Sequence, residues 1–361
     1  MSTRPARPTL AQIAAELGVS VMSVSNAYNR PDQLSAALRE RILEKARELG
    51  YPGPDPLARG LRHGRAGALG VLYDTWPSYV FQSPAAVGFL QGLSETTGRA
   101  FMGLLLVPTP LPGQGNPLDA ALADGFVIYS VSDTNPHVPM ARARRPVVIV
   151  DQPRLEDVPL VGIDDERAAA AAAKHLLDLG HRRIAILSFA LARDGVEGPV
   201  DLERQQNATY AVTRARLSGY RTALTAAGLA WEEVEVYECQ DPRKADRAVR
   251  HLLARRPRPT ALLATSDGLA LTALRTAAQG GLRIPHHLSV VGFDDTPRAH
   301  TAIPSLTTVR QPHIEKGKRA GELLLGALRG DATPPPEWLP SELIVRDSTG
   351  PAPRASAQRR T

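Results

Sequence analysis

Four aspartates stand at the ends of short apolar runs: Asp74 after residues 69–72 and Tyr73, Asp151 after 147–150, Asp267 after 261–264 and Thr265-Ser266, and Asp294 after 289–293. Carboxylates accept hydrogen bonds from hydroxyl groups, and aromatic faces such as Trp76 beside Asp74 cover apolar ring surface. Side chains of these types projecting into one cleft suit a neutral, hydroxyl-rich small molecule. Each Asp alone would serve equally well as the cap of a following helix. The recurrence at four equivalent places favours the pocket.

Covalent chemistry finds less support. The doublets Asp164-Asp165 and Asp294-Asp295 could supply paired carboxylates for glycoside hydrolysis, but nothing in the sequence fixes a nucleophile. There is no Gly-x-Gly-x-x-Gly, phosphate loop, His-Glu-x-x-His or Gly-x-Ser-x-Gly. The nine histidines are scattered, and His286-His287 reads as a solvated pair in a turn. No catalytic residue, metal site or cofactor is expected.

The aspartates need a scaffold that brings strand ends together. The runs at 69–72, 103–107, 126–129, 147–150, 184–187, 261–264 and 289–291 read as strands buried on both faces. They alternate with helical segments, among them 165–179, 217–227 and 268–279, each ending at glycine. So many strands over this length predict two parallel sheets, with ligands outside their carboxyl ends.

A second constellation opens the chain. Thr9-Leu-Ala-Gln12 is a helix capping box, and Leu10, Ile13, Ala14 and Leu17 repeat at helical spacing up to Gly18. Ser20 can cap a second helix over 21–27, and a third is predicted over 35–49 with Leu38, Ile42, Ala46 and Leu49 inward. Two short helices joined through a glycine turn make a helix-turn-helix, whose second helix enters a DNA major groove; a plain helical hairpin is the bland alternative. Residues 1–65 carry ten basic and six acidic side chains, so they hold four of the six surplus positive charges of the 361-residue chain. Concentrated basic charge on a small domain is the footprint of phosphate binding. The Pro-rich stretch 51–56 reads as a linker. One cysteine, Cys239, rules out an internal disulfide, and neither a secretory signal nor a membrane span is evident. A cytoplasmic location is expected.

The segments Thr9-Leu-Ala-Gln-Ile-Ala-Ala-Glu-Leu-Gly-Val-Ser20 and Val24-Ser-Asn-Ala-Tyr-Asn29 resemble the head of the LacI/GalR family of bacterial transcriptional regulators. Leu176-Leu-Asp-Leu-Gly-His-Arg-Arg-Ile184, Arg216-Leu-Ser-Gly-Tyr220, Ile284-Pro-His-His-Leu-Ser-Val-Val-Gly-Phe-Asp-Asp295, Pro304-Ser-Leu-Thr-Thr-Val309 and Leu343-Ile-Val-Arg-Asp-Ser348 extend the likeness along the chain. The resemblance implies an α/β protein with an all-α helix-turn-helix headpiece (1–55) and a hinge (56–65). A two-subdomain, periplasmic-binding-protein-like core with parallel sheets (66–349) would follow, then a disordered basic tail (350–361). One subdomain would take about 67–163 and 297–330, the other about 164–294 and 336–347.

The same resemblance implies a dimeric repressor that binds pseudo-palindromic double-stranded DNA and responds to a small effector, most plausibly a sugar, with a nucleoside or purine as the alternative. DNA contacts would come from Thr9, Ser20, Val21, Met22, Ser25, Asn26 and Asn29, and from Ala58 and Leu61 of the hinge. Asn26 stands where the family has Arg, so an operator richer in A·T is expected there. Effector contacts would come from Asp74, Phe81, Asp151, Arg216, Asp267 and Asp294. Ser266 replaces a usual Asn, and the polar insertion 193–213 reads as a lid or an exposed loop. A solute-binding protein without regulatory role, or a sugar-converting enzyme, are the rival classes.

Overall fold

The computed structural model describes residues 8–53, 65–74, 80–109 and 116–353, and the chain divides into two units, 1–67 and 68–361. The hinge residues Ala58 and Leu61, and Trp76 beside Asp74, lie outside the described residues.

In the first unit, helices α1 (Leu10–Leu17), α2 (Val21–Asn29) and α3 (Ala36–Glu48) enclose a core of Ile13, Ala14, Val24, Ala27, Ile42 and Ala46. Each helix is opened by a hydroxyl cap: Thr9 accepts from the Gln12 amide, Ser20 from Ser23 and Ser35 from Leu38. The α1–α2 turn needs left-handed backbone, which Gly18 supplies at φ 66°.

In the second unit, the strands are β1 (Ala68–Tyr73), β2 (Gly103–Pro108), β3 (Gly125–Tyr129), β4 (Val147–Val150), β5 (Leu160–Ile163), β6 (Ile184–Ser188), β7 (Gly198–Val200), β8 (Val236–Glu238), β9 (Ala261–Ala264), β10 (Ser289–Asp294), β11 (Thr307–Arg310), β12 (Glu337–Leu339) and β13 (Glu342–Ile344). The helices between them are α4 (Pro84–Arg99), α5 (His137–Arg144), α6 (Asp165–Asp178), α7 (Leu202–Gln206), α8 (Ala211–Ala226), α9 (Asp246–Ala254), α10 (Asp267–Gln279), α11 (Pro297–Thr301) and α12 (His313–Arg329).

The strands form two sheets, β12-β5-β4-β3-β1-β2 and β13-β11-β10-β9-β6-β8-β7. The first is parallel throughout, and the second is parallel except at its outermost strands β13 and β7. Both faces of each sheet are covered by apolar clusters, which is why β4 and β9 read as unbroken apolar runs.

Two expected boundaries are corrected. Residues 297–310 do not belong with the first sheet: α11 packs on α10 and β11 pairs with β10, so the chain returns to the first layer only after Arg310. Within 336–347, β12 pairs with β5 of the first sheet and only β13 belongs to the second. The chain therefore passes between layers three times, after β5, after β11 and after β12. The expected disordered tail is corrected at its start. The Gly350 carbonyl accepts from His181 Nε2 at 3.0 Å and the Ala352 amide donates to Leu179, so 350–352 are built into the core.

Backbone contact replaces side-chain contact where α12 crosses α4. A Cβ on Gly317 would overlap the Phe89 carbonyl, and one on Gly92 the Ile314 carbonyl. That close approach brings the first turn of α12 onto the carboxyl end of the first sheet.

Candidate functional site

The carboxyl ends of the parallel strands converge on a band of charged and aromatic groups shared by both layers. Arg216, from α8, is 5% exposed and donates through Nε to Asp165 Oδ1 at 2.8 Å and through Nη1 to the Thr265 carbonyl at 2.5 Å. Its guanidinium lies 3.7 Å over the Phe293 ring. Beyond it, Gln311 Nε2 donates to Asp294 Oδ1 at 2.7 Å, and Lys316 Nζ donates to Gln311 Oε1 at 2.7 Å. Lys316 also pairs with Asp151 Oδ1 at 2.5 Å, with only 1% of its surface exposed. The side chains at the strand ends of the two sheets are thus joined through one glutamine.

The backbone around this band is strained. Ser130, Asp151, Asp294 and Asp295, all at or just past strand ends, have φ of 53°, 65°, 123° and 54°. Such conformations cost of order 1–3 kcal/mol in non-glycine residues and gather at ligand sites. Burial pushes the Asp294 carboxyl well above the usual range, reinforced by Asp267 and opposed by Arg216. His313 is driven down to about 4, chiefly by burial and then by Lys316, so its imidazole is neutral at physiological pH. His313 Nε2 and the Tyr220 hydroxyl, both within reach of the charge of Arg216, are buried without a hydrogen-bond partner. Burial also raises the Tyr220 and Tyr129 hydroxyls above their ordinary value. Protonated donors, carboxylate acceptors and aromatic rings therefore face one another.

A second seam joins the layers at Asp74. Its carboxylate accepts from the Ser132 amide at 2.5 Å, from the Asn135 amide group and from the Tyr210 hydroxyl at 3.3 Å, with Arg193 at 3.7 Å. The insertion 193–213 is folded, containing β7 and α7. Glu238, fully buried, ties it down by accepting from Leu191 and from Arg204, which also pairs with Asp194. Its far end reaches the first layer, where Thr209 meets Ser132 and Asp133, and Arg214 pairs with Asp133. Helix α8 has no cap from its own N-terminal side chain; Gln152 of the first layer accepts from the Val212 amide at 2.7 Å instead.

Of the residues singled out in the sequence, Asp151, Arg216 and Asp294 are brought into the band and Asp74 into the neighbouring seam. Asp267 is not available to a ligand. It is 0% exposed, and its carboxylate is used inside the second layer by the Thr296 amide at 2.6 Å and the Thr308 hydroxyl at 2.5 Å. Phe81 is 63% exposed and has no ring contact among the described residues. Asp165, Gln311, His313, Lys316 and Tyr220 were missed. Asp165 was visible only as half of a doublet, and Lys316 sits in a charged helical stretch that reads as solvent-facing. A cavity of about 1040 Å³ lies to one side of the band, between Asp164, Arg167, Ser218, Trp338 and Glu342, and does not include Arg216 or Asp294.

In the headpiece, Val21, Met22, Ser25, Asn26 and Asn29 share the face of α2 opposite the buried Val24 and Ala27, with Val21 and Met22 47% and 68% exposed. Asn26 Nδ2 donates to Gln33 Oε1 at 3.2 Å, and Asn29 Nδ2 to Ser25 Oγ at 3.2 Å, which orders this face. Thr9 and Ser20 are exposed caps at the amino ends of α1 and α2.

Comparison with known proteins agrees with this architecture. A periplasmic binding protein-like domain model matches residues 173–349. The chain is 43% identical to an HTH-type transcriptional regulator of Mycolicibacterium smegmatis, over 96% of this chain and 98% of that one. It is similar to the crystal structure of a LacI family transcriptional regulator from Corynebacterium glutamicum, with a TM-score of 0.73, 38% identity, and coverage of 95% and 98%. A structure of the transcriptional regulator CelR in complex with cellobiose matches with a TM-score of 0.67 and 29% identity, over 95% of this chain and all of that one. By its fold and these full-length matches, the chain belongs to the LacI/GalR family of helix-turn-helix transcriptional regulators.

Proposed function

We propose that this regulator is a dimeric repressor whose core closes on a neutral, hydroxyl-rich effector, a sugar or related polyol, and thereby alters its grip on operator DNA. The band of Arg216, Asp294, Gln311, Lys316 and Asp151 carries the reading. It holds both donors and acceptors, it joins the two layers, and a ligand there can favour one arrangement of the layers over another. The carboxylates balance the two cations, so little net positive charge is left to attract an anion. The CelR complex with cellobiose supports a sugar.

On the DNA side, Val21, Met22 and Asn26 of α2 would meet base edges, with Thr9, Ser20, Ser25 and Asn29 on phosphates and Ala58 and Leu61 at the hinge. Each head would read one half-site.

Thermal unfolding of the full chain against a panel of sugars, polyols and nucleosides tests the effector. A ligand at a hundred times its Kd stabilises by about 2.7 kcal/mol, and Asp294→Ala should abolish the shift. A shift with nucleosides alone moves the effector to the purine class; no shift with any compound refutes the reading. Selection from randomised duplexes tests the head, and guanine recovered opposite Asn26 would contradict it.

A further inference from the structure

A second concavity lies at the opposite end of the second sheet, where β6, β9 and β10 begin. It has a volume of about 340 Å³ and is lined by Arg183, Arg256, Arg258, Thr260, His287 and Pro353. No acidic residue lines it among the described residues. Among the described residues, none of the three arginines forms an ion pair with a carboxylate, whereas Arg255 beside them pairs with Glu235.

The donors are held by backbone contacts that leave other N–H groups unspent. Arg183 uses Nε on the Arg258 carbonyl at 3.0 Å, and its terminal nitrogens have no partner among the described residues. Arg256 uses one terminal nitrogen on the carbonyls of Ala254 and Arg255. The Arg258 side chain makes no hydrogen bond within the described protein. His287 Nδ1 accepts from the Arg283 amide at 3.1 Å, so in the neutral ring the proton sits on Nε2, as a further donor. Thr260 is buried at the floor, with its hydroxyl on His181 Nδ1 at 2.9 Å.

Three guanidinium groups and an imidazole N–H around a concavity without a carboxylate among its described lining residues match a tetrahedral dianion, which takes forked N–H donation on several oxygens and offsets the mutual repulsion of the cations. We propose that this pocket binds a phosphate group, either inorganic phosphate or the phosphate of a small ester. The site is remote from the band around Arg216, which lies at the other end of the same strands, and it stands whether or not the effector is a sugar. It also touches the end of the described chain: Pro353 lines it, and Ala352 is pinned to Leu179.

Calorimetric titration of the full chain with inorganic phosphate and, separately, with glucose 6-phosphate tests this, with glucose as the uncharged control. Binding of at least one phosphate compound is expected, weakened about tenfold or more by Arg183→Gln and by Arg258→Gln, and unchanged by the distant Arg221→Gln. Equal affinity for both compounds means that the phosphate alone is read; tighter binding of glucose 6-phosphate means that an ester is. Absence of binding, or binding indifferent to both pocket variants, overturns the proposal. Arginine modification by phenylglyoxal on the unaltered chain gives an independent readout. Phosphate should protect Arg183, Arg256 and Arg258, and protection confined to the headpiece arginines would count against the site.

Discussion

Removing the Asp267 carboxylate should damage stability and leave ligand recognition to its neighbours. In Asp267→Ala the Thr296 amide and Thr308 hydroxyl lose their acceptor in a site with no exposed surface. Each buried donor left unmade costs about 1–3 kcal/mol, so the variant with two such donors should lose roughly 2–6 kcal/mol. At about 2–4 °C per kcal/mol for a domain of this size, the unfolding midpoint should fall by roughly 4–24 °C. Asp267→Asn keeps one acceptor oxygen and should fall less. Asp294→Ala is the contrast: it removes a single hydrogen bond from Gln311 together with a carboxyl that burial disfavours. Its midpoint should stay within a few degrees while its ligand-induced shift disappears. Scanning calorimetry of the three variants, with and without the sugar that stabilises the parent chain, separates the roles. An Asp267→Ala protein that melts like the parent but no longer responds to ligand would refute the reasoning and return Asp267 to the binding site.

Gly317→Ala should lower the midpoint by several degrees despite the better helix propensity of alanine, because its Cβ meets the Phe89 carbonyl and Leu93 amide, which cannot move without parting α4 from α12; an unchanged melt would show that the helices separate freely. The folded-state pKa of His313, near 4, lies below the unfolded value near 6.5, so its contribution is present above pH 6.5 and lost as pH falls towards 4. His313→Gln should therefore flatten the acid limb of stability against pH by roughly 3 kcal/mol, and parallel curves for the two proteins would contradict this. Glu238→Ala leaves the Leu191 amide and Arg204 without their buried acceptor. Hydrogen exchange over 191–210 should speed up at least tenfold in that variant while β9 and β10 keep their protection, and unchanged protection of 191–210 would mean that other contacts hold the insertion.

The headpiece was legible almost to the residue, because capping hydroxyls, a turn glycine and apolar spacing all operate within a few positions of one another. The central strands were legible too, since burial on both faces leaves unbroken apolar runs such as Val147–Val150. The edge strand β2 was legible as well, but several short strands near the sheet margins were not. Gly198–Val200 contains a proline, Glu337–Leu339 is half charged or exposed, and Thr307–Arg310 carries two threonines that are buried through hydrogen bonds rather than hydrophobicity. Arg216, Asp151 and Asp294 were found because they sit at strand ends or in a recognisable motif. Lys316 was not, since lysine is rarely buried unless paired and its partner Asp151 lies 165 positions away. Asp267 misled for a related reason: a carboxylate at a strand end looks the same in sequence whether it faces a cleft or the interior.

The three passages of the chain between the sheets bear on how the protein is made. The first sheet receives its outermost strand from residues 337–339, and its carboxyl end receives Lys316 from α12, so it stays unfinished while the second sheet is synthesised. A ribosome that has delivered β1 to β5 has produced a sheet that lacks both its edge strand and the partner of Asp151. Neither subdomain corresponds to a continuous stretch of the coding sequence, and a chain stopped before α12 should expose the apolar faces of Phe89 and Leu93 rather than leave one sound half. Premature termination anywhere before His313 would therefore leave both subdomains incomplete, the first without α12 and its edge strand and the second without β13.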